Sequence, residues 1–433
     1  MKLAHESDLS DPQMTLRNIK QQCVLAVCYG GGHVLMLIPV LKHLKSLGYD
    51  VHVLGLTTAA ASLRKAGLTP IGFKELIQPE DSRAIEHGIR LAEEMHKDSK
   101  VQSLEESIAY LGLSYADLED QLGVVEAKKE FTQKGRQAFL PLAPIRRLFD
   151  RMQPDVLLTT NSPRAELASI RVAAELGVPS VGVLDLFGFG AYNDIPADYV
   201  CVPFKQAVSI LVDRGLNPDD IIVTGNPNFD WVNKISSAES QAASWRIQHH
   251  VKPDEMLALY AMKPIWDEIE ETIVQSLEQV LTNKPSFKIA VRPHPNSDHQ
   301  IAERVITRLG NRAFLNQNTP LPVAVEASDA LITHKSTVAV EAALLGRQVA
   351  LFHSNRDYTT HAIPLNLYNW STFSITVDEG IEALSKLKKD SIETQNQRGA
   401  DVRKAWNCDG QSHIRIADVV VQALQSSKLS RVV

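Results

Sequence analysis

Four cysteines in 433 residues, Cys23, Cys28, Cys201 and Cys408, are too few and too scattered for a disulfide framework, and no two stand at metal-ligand spacing. Reduced thiols in a cytoplasmic protein follow. No apolar run approaches the roughly 18 residues that span a bilayer. Residues 1 to 20 are polar and mixed in charge rather than basic and then apolar, so neither a membrane span nor a secretory leader is expected. Any membrane-linked substrate would be met from the cytoplasmic face, by peripheral surface contact. Excess positive charge is missing too. The net charge of −6 argues against nucleic acid as a main partner. No carboxylate cluster points to a metal, and no repeat of solenoid period or low-complexity tract stands out.

What is present is a globular composition, 44% hydrophobic and 22% charged, on a chain too long for one ordinary core. Two domains are expected. The most informative stretch runs from Ala330 to Phe352. A short apolar run, Ala330 to Ile332, breaks into Thr333, His334, Lys335, Ser336 and Thr337; Val338 to Leu345 is small and apolar around a single carboxylate, Glu341; Gly346 then precedes a second apolar run, Val349 to Phe352. This reads as strand, turn, helix, strand. Such a turn lies at the carboxyl end of a parallel strand and at a helix start, where open α/β sheets bind ligands and backbone N–H groups favour an anion. Lys335 adds charge, and Ser336 and Thr337 add hydroxyls. A phosphate is the natural guest, with Glu341 one turn further on, within reach of a ribose.

The opening of the chain has the same grammar. Cys23 to Cys28 is a buried strand, Tyr29-Gly30-Gly31-Gly32-His33 a turn, and Val34, Leu37, Ile38, Leu41, Leu44 and Leu47 recur at helical spacing up to Gly48. The glycines permit close backbone approach to a ligand. They do not form the dinucleotide fingerprint, since the pattern Gly-x-Gly-x-x-Gly and the acidic end of the next strand are both missing, so a nicotinamide cofactor is disfavoured. His33, at a helix start, is suited to accept a proton near neutral pH.

From Pro79 to about Gly135 the chain is charged and helix-prone. Strands follow at Asp155 to Thr159 and Val178 to Leu184, the second leading into Asp185, Asn193 and Asp194. Two more, Asp198 to Val202 and Ile221 to Thr224, precede Gly225-Asn226-Pro227. Periodicity weakens from Asn233 to Lys252, which places the domain junction there. A second set begins at Leu257 to Ala261 with the turn Met262-Lys263-Pro264, and the strand Phe287 to Val291 ends in Arg292-Pro293-His294-Pro295. The prolines hold Arg292 and His294 rigidly at a strand end, a second phosphate contact.

Leu259-Tyr260-Ala261, Gly225-Asn226-Pro227, Arg292 to Pro295 and Ile332 to Thr337 with Glu341 and Leu345-Gly346 together resemble the GT-B superfamily of nucleotide-dependent transferases. The C-terminal half is similar to bacterial surface-polysaccharide transferases, among them CDP-glycerol glycerophosphotransferases, polysialyltransferases and Kdo transferases. Gly31-Gly32-His33 resembles the glycine-histidine start of UDP-sugar glycosyltransferases. The proline here comes later after the histidine than in that pattern, and no plant-type signature box is present. The resemblance implies two doubly wound Rossmann-like α/β domains facing across a cleft. The first is an acceptor domain over 1–240 with a helical insertion near 80–135. The second is a donor-nucleotide domain over 241–413, and a C-terminal helix at 414–433 is able to cross back.

The implied activity is metal-independent transfer of a sugar from a nucleotide-activated donor to an acceptor hydroxyl, with no cofactor. The acceptor could be a glycan, a lipid-linked glycan or a small molecule. His33, or failing it Asp185, would take the acceptor's proton. Gly31, Gly32, Asn226, Lys263, Arg292, His294, His334, Lys335, Ser336, Thr337 and Glu341 would hold the donor. Alternatives of the same fold are a nucleotide-sugar 2-epimerase or hydrolase, a glycerophosphate or polyol-phosphate transferase, and a non-catalytic nucleotide-sugar-binding subunit.

Overall fold

The computed structural model describes residues 21–95, 103–161, 164–185, 197–234, 236–294, 297–334, 336–354 and 371–430. Its first half alternates strand and helix: β1 (Cys23–Cys28), α1 (Gly32–Ser46), β2 (Asp50–Gly55), α2 (Ala59–Lys65) and β3 (Pro70–Ile71). Three helices then intervene, α3 (Ser82–Met95), α4 (Leu104–Leu122) and α5 (Val124–Lys134), before α6 (Leu142–Met152), β4 (Val156–Thr160), α7 (Ala165–Leu176), β5 (Ser180–Val183), β6 (Tyr199–Val202) and β7 (Ile221–Val223). The strands form one parallel sheet in the order β3-β2-β1-β4-β5-β6-β7.

Both faces of that sheet are covered, which is why β1 reads as a continuous apolar run with all six residues buried. Successive side chains still alternate. Leu25 and Val27 face the layer containing α7, while Val24, Ala26 and Cys28 face α1 and the C-terminal helix Ser412–Ser430 through Leu37, Leu41, Ile416 and Val420. The last helix of the chain is thus packed on the first sheet.

The second half repeats the plan with β8 (Met256–Ala261), β9 (Phe287–Arg292), β10 (Ala313–Leu315), β11 (Ala330–His334), β12 (Gln348–Phe352) and β13 (Ser371–Ser374). These six parallel strands lie in the order β10-β9-β8-β11-β12-β13. The expected pair of doubly wound domains is therefore present. The stretch of weak periodicity after Asn233 holds a helix, Ser236–Gln248. Its sequence, rich in serine, alanine and glutamine, has no distinct apolar stripe, and tertiary anchors hold it instead. Trp245 is buried, and Arg246 donates to the carbonyl of Ala327 at 2.7 Å and to Asp329 at 3.2 Å.

The charged stretch after Pro79 becomes the tightly packed pair α3 and α4. A Cβ at Gly88 would lie 2.2 Å from the carbonyl oxygen of Ile108, and one at Gly112 would lie 2.0 Å from that of Ala84. Only glycine lets these two backbones approach so closely. No described helix is long and apolar enough to cross a membrane.

Candidate functional site

Each sheet has one place where neighbouring strands send their connections to opposite sides: between β1 and β4 in the first, between β8 and β11 in the second. Ligands of open α/β sheets bind beyond the carboxyl ends of strands at such points. The sequence-predicted residues concentrate there. His33 follows β1 and Thr160 ends β4; Lys263 follows β8 and His334 ends β11.

In the first crevice His33 Nδ1 is 3.0 Å from Thr160 Oγ1, and its Nε2 is 3.5 Å from Asp185 Oδ2. Both His33 and Asp185 keep about a fifth of their side-chain surface accessible, 22% and 19%, so the pair is held yet reachable. Asp185 is locked in turn by Asn161, whose Nδ2 donates to its Oδ1 at 2.8 Å while the Asp185 N–H donates to Asn161 Oδ1 at 3.0 Å. Sequence reasoning named His33 and Asp185 separately. The structure puts them in one contact.

The glycine loop is shaped by its neighbours. Gly30 has no room for a side chain, since a Cβ would fall 1.8 Å from Thr58 Oγ1, and Gly31 adopts φ +68. The N–H of Gly31 donates to Thr58 at 3.1 Å, and the carbonyl of Gly32 accepts from Asn228 Nδ2 at 2.9 Å. Asn226 is buried with its Oδ1 receiving the Asn228 N–H at 2.9 Å, so its side chain shapes the turn that delivers Asn228 to the loop. Asn228 was not among the predicted residues.

In the second crevice the Lys263 ammonium donates to His334 Nδ1 at 3.0 Å and to Asp267 Oδ2 at 3.1 Å. Burial pushes the Asp267 carboxyl up. The N–H of Glu270 and the charge and hydrogen bond of Lys263 outweigh that and hold it below its ordinary value. Glu270, buried behind them, is pushed up to about 7 by desolvation, against the hydrogen bonds it accepts from the Tyr260 hydroxyl and the Lys263 N–H.

Arg292 reaches Asn316 Oδ1 at 3.2 Å and the Thr319 carbonyl at 2.8 Å, and burial lowers its pKa. The nearby Glu341 is also desolvated, to a pKa of about 7, with Arg292 as the opposing charge. Burial lowers His294 as well, favouring the neutral ring.

Ser336 Oγ accepts the Val338 N–H at 3.3 Å, while the Thr337 side chain makes no capping bond. The helix they start, Val338–Leu344, has seven residues, so its macrodipole adds little; the side chains named above carry the positive character. Lys335 lies outside the described residues, as do Pro295, Asn193 and Asp194. The 3-10 segment Pro227–Lys234 packs against both α1 and the helix Val338–Leu344, so the helices leaving the two crevices rest on one support. Among the described residues, one group of three possible metal ligands gathers, Cys23, Asp50 and His52. It sits at the amino-terminal half of β1 and β2, away from the crevice.

Two doubly wound parallel sheets with a crevice in each define the GT-B class of fold. Solved structures bear this out over more than nine-tenths of the chain. A UDP-GlcNAc 2-epimerase from Neisseria meningitidis bound to UDP-GlcNAc superposes with a TM-score of 0.60 at 14% identity, over 93% of this chain and 100% of that one. A glycosyltransferase from Rickettsia africae gives 0.57 at 14% identity, over 93% and 99%. The complex of S. aureus MnaA with UDP gives 0.56 at 15% identity, over 92% and 95%. These likenesses establish the fold. The chain matches no protein-family model, and no curated protein resembles it in sequence.

Proposed function

We propose that the protein is a metal-independent glycosyltransferase that moves a sugar from a nucleotide-activated donor to an acceptor hydroxyl in polysaccharide or glycoconjugate synthesis. The observation that carries this reading is the His33–Asp185 contact at the first crevice, paired with the Lys263–His334–Asp267 cluster at the second. In this reading His33 removes the proton as the acceptor oxygen attacks the anomeric carbon. The bond from that carbon to the phosphate oxygen breaks, and its electron pair leaves with the nucleotide. Asp185 stabilises the imidazolium so formed. Lys263 and Arg292 stabilise the leaving phosphates, helped by the hydroxyls of Ser336 and Thr337, which is the electrostatic work that a metal performs in other transferases. Lys335 adds a charge by its place in the sequence. Glu341, one turn into its helix, receives the ribose hydroxyls. In-line attack inverts the anomeric centre.

A thermal-shift panel of UDP, CDP, CMP, GDP, dTDP and NAD in EDTA, repeated with Ser336→Ala and His294→Ala, tests the donor half of this reading, since a ligand of the folded state raises Tm by mass action. One nucleotide should stabilise the wild type and lose its effect in both variants. Stabilisation by NAD alone, or by none, sinks the transferase reading.

A second reading, a nucleotide-sugar 2-epimerase, draws on the N. meningitidis enzyme, which has this fold and was solved with UDP-GlcNAc bound. Incubation with UDP-GlcNAc and no acceptor separates the two. An epimerase converts the sugar alone, whereas the transferase leaves it unchanged until an acceptor is supplied.

A further inference from the structure

We infer that Glu166 is a positioning residue that sets the tautomer of His33 through the hydroxyl of Thr160. This deepens the transferase reading above and rests on it for its catalytic meaning, though not for its test. Glu166 lies in the first turn of α7, fully buried at 0% exposure, behind the first crevice. Its Oε1 accepts two hydrogen bonds: one from the Tyr29 N–H at 2.8 Å and one from the Thr160 hydroxyl at 3.3 Å. Tyr29 is the residue that leaves β1 and opens the glycine loop, and Thr160 is the last residue of β4. One carboxylate oxygen therefore ties together the two strand ends that flank the crevice.

The consequence for His33 follows from counting protons. A hydroxyl has one to give. The oxygen that receives the Tyr29 N–H acts as an acceptor whether or not Glu166 carries a proton on its other oxygen, so Thr160 gives its proton to Glu166. The Thr160 oxygen then has only lone pairs to offer its other neighbour, His33 Nδ1 at 3.0 Å. Nδ1 must be the protonated nitrogen, which leaves the lone pair on Nε2, the nitrogen 3.5 Å from Asp185. Nε2 and the Asp185 carboxylate are then both acceptors, 3.5 Å apart, and an incoming hydroxyl gives its proton to Nε2. Once Nε2 has taken it, the contact with Asp185 becomes an ion pair. Without the Glu166 acceptor, Thr160 can turn its proton toward Nδ1, and His33 then carries its proton on Nε2, the nitrogen that must be free to act as a base.

The test is the tautomer itself. The full-length protein labelled with 15N-histidine is examined by two-bond 1H–15N correlation at a pH where the ring is neutral, with His33 assigned from the signal lost in His33→Ala. The wild type should show His33 protonated on Nδ1. Thr160→Ser, which keeps the hydroxyl, should show the same pattern. Thr160→Val and Glu166→Ala should move the proton to Nε2 and lower kcat by on the order of 10², with donor affinity unchanged. Should Glu166→Ala fail to fold, the contrast between Thr160→Val and Thr160→Ser decides. A wild-type His33 protonated on Nε2, or an Nδ1 proton that persists in Thr160→Val, overturns the assignment. The expected spectra in a protein without transferase turnover would keep Glu166 in this role and remove the transferase reading, whereas turnover with the opposite tautomer would do the reverse.

Discussion

In the first crevice the contact across the strand boundary joins a histidine after the leading strand to a threonine ending its neighbour; in the second it joins a lysine to a histidine at the same two topological positions. Both contacts are 3.0 Å long, His33 Nδ1 to Thr160 Oγ1 and Lys263 Nζ to His334 Nδ1. The topology is shared and the chemistry is not. His33 has its other nitrogen turned to the Asp185 carboxylate, which in the proposed reading serves to take up a proton. His334 is 3% exposed and accepts from an ammonium whose charge is balanced by Asp267, an arrangement that fixes a cation in place. A doubly wound sheet offers the position, and the side chains that follow its leading strand and end its neighbour set the chemistry available there.

The largest effect that would break this comparison is His33→Ala. If the first crevice carries the proton transfer, turnover falls by ~10²–10⁴ while nucleotide stabilisation in a thermal-shift assay stays at the wild-type value. Unchanged turnover would leave the two crevices functionally alike. Next in size, Lys263→Ala removes the fixed cation of the second crevice. Loss of a charge-assisted hydrogen bond is worth ~1.5–3 kcal/mol, so calorimetric titration with the nucleotide that stabilises the wild type in the thermal-shift panel should show affinity weakened by at least about tenfold. Affinity that does not move would place the donor elsewhere.

Two smaller effects concern Glu341, whose carboxyl is raised from its ordinary 4.5 to about 7. In the proposed reading a ribose diol donates to the ionised form, so affinity for the nucleotide selected by the thermal-shift panel should rise with pH through about 7 in the wild type and stay flat in Glu341→Gln. The sign is opposite for stability. A carboxyl raised in the folded state contributes stability that is complete below its unfolded pKa and is lost as pH rises through the folded one. The Tm of the ligand-free wild type should therefore decline between about pH 4.5 and 7, and Glu341→Gln should make that decline less steep, Glu270 with its shift of the same sign remaining in place. A wild-type decline no steeper than that of Glu341→Gln would contradict the burial of Glu341.

The strands that read clearly from sequence are those buried on both faces, where every residue must be apolar. β1, β8 and β11 are examples, and their boundaries lie within a residue or two of expectation. The ones missed, β3, β10 and β13, are at sheet edges and have two to four residues. An edge strand is covered on one side only, so Ser371-Thr372-Phe373-Ser374 carries no apolar run to detect. The helix Ser236–Gln248 was invisible for a related reason: it is held by Trp245 and Arg246 reaching residues far along the chain.

Sequence alone determined that each half of the chain is a wound α/β unit, because hydrophobic periodicity and glycine placement are local. It also singled out the strand ends after β1, β5, β8, β9 and β11, since a polar residue following a buried strand is visible without coordinates. Which strand ends meet is a different matter. Thr160 is 127 residues from His33, and Lys263 is 71 from His334. Nothing local specifies those pairings. They come from the strand order, which sets β4 beside β1 and β11 beside β8, and that order is fixed by packing between residues far apart in the chain. The partners of the named residues, Asn161 on Asp185, Thr160 and Glu166 behind His33 and Asp267 beside Lys263, were decided there, by the tertiary structure alone.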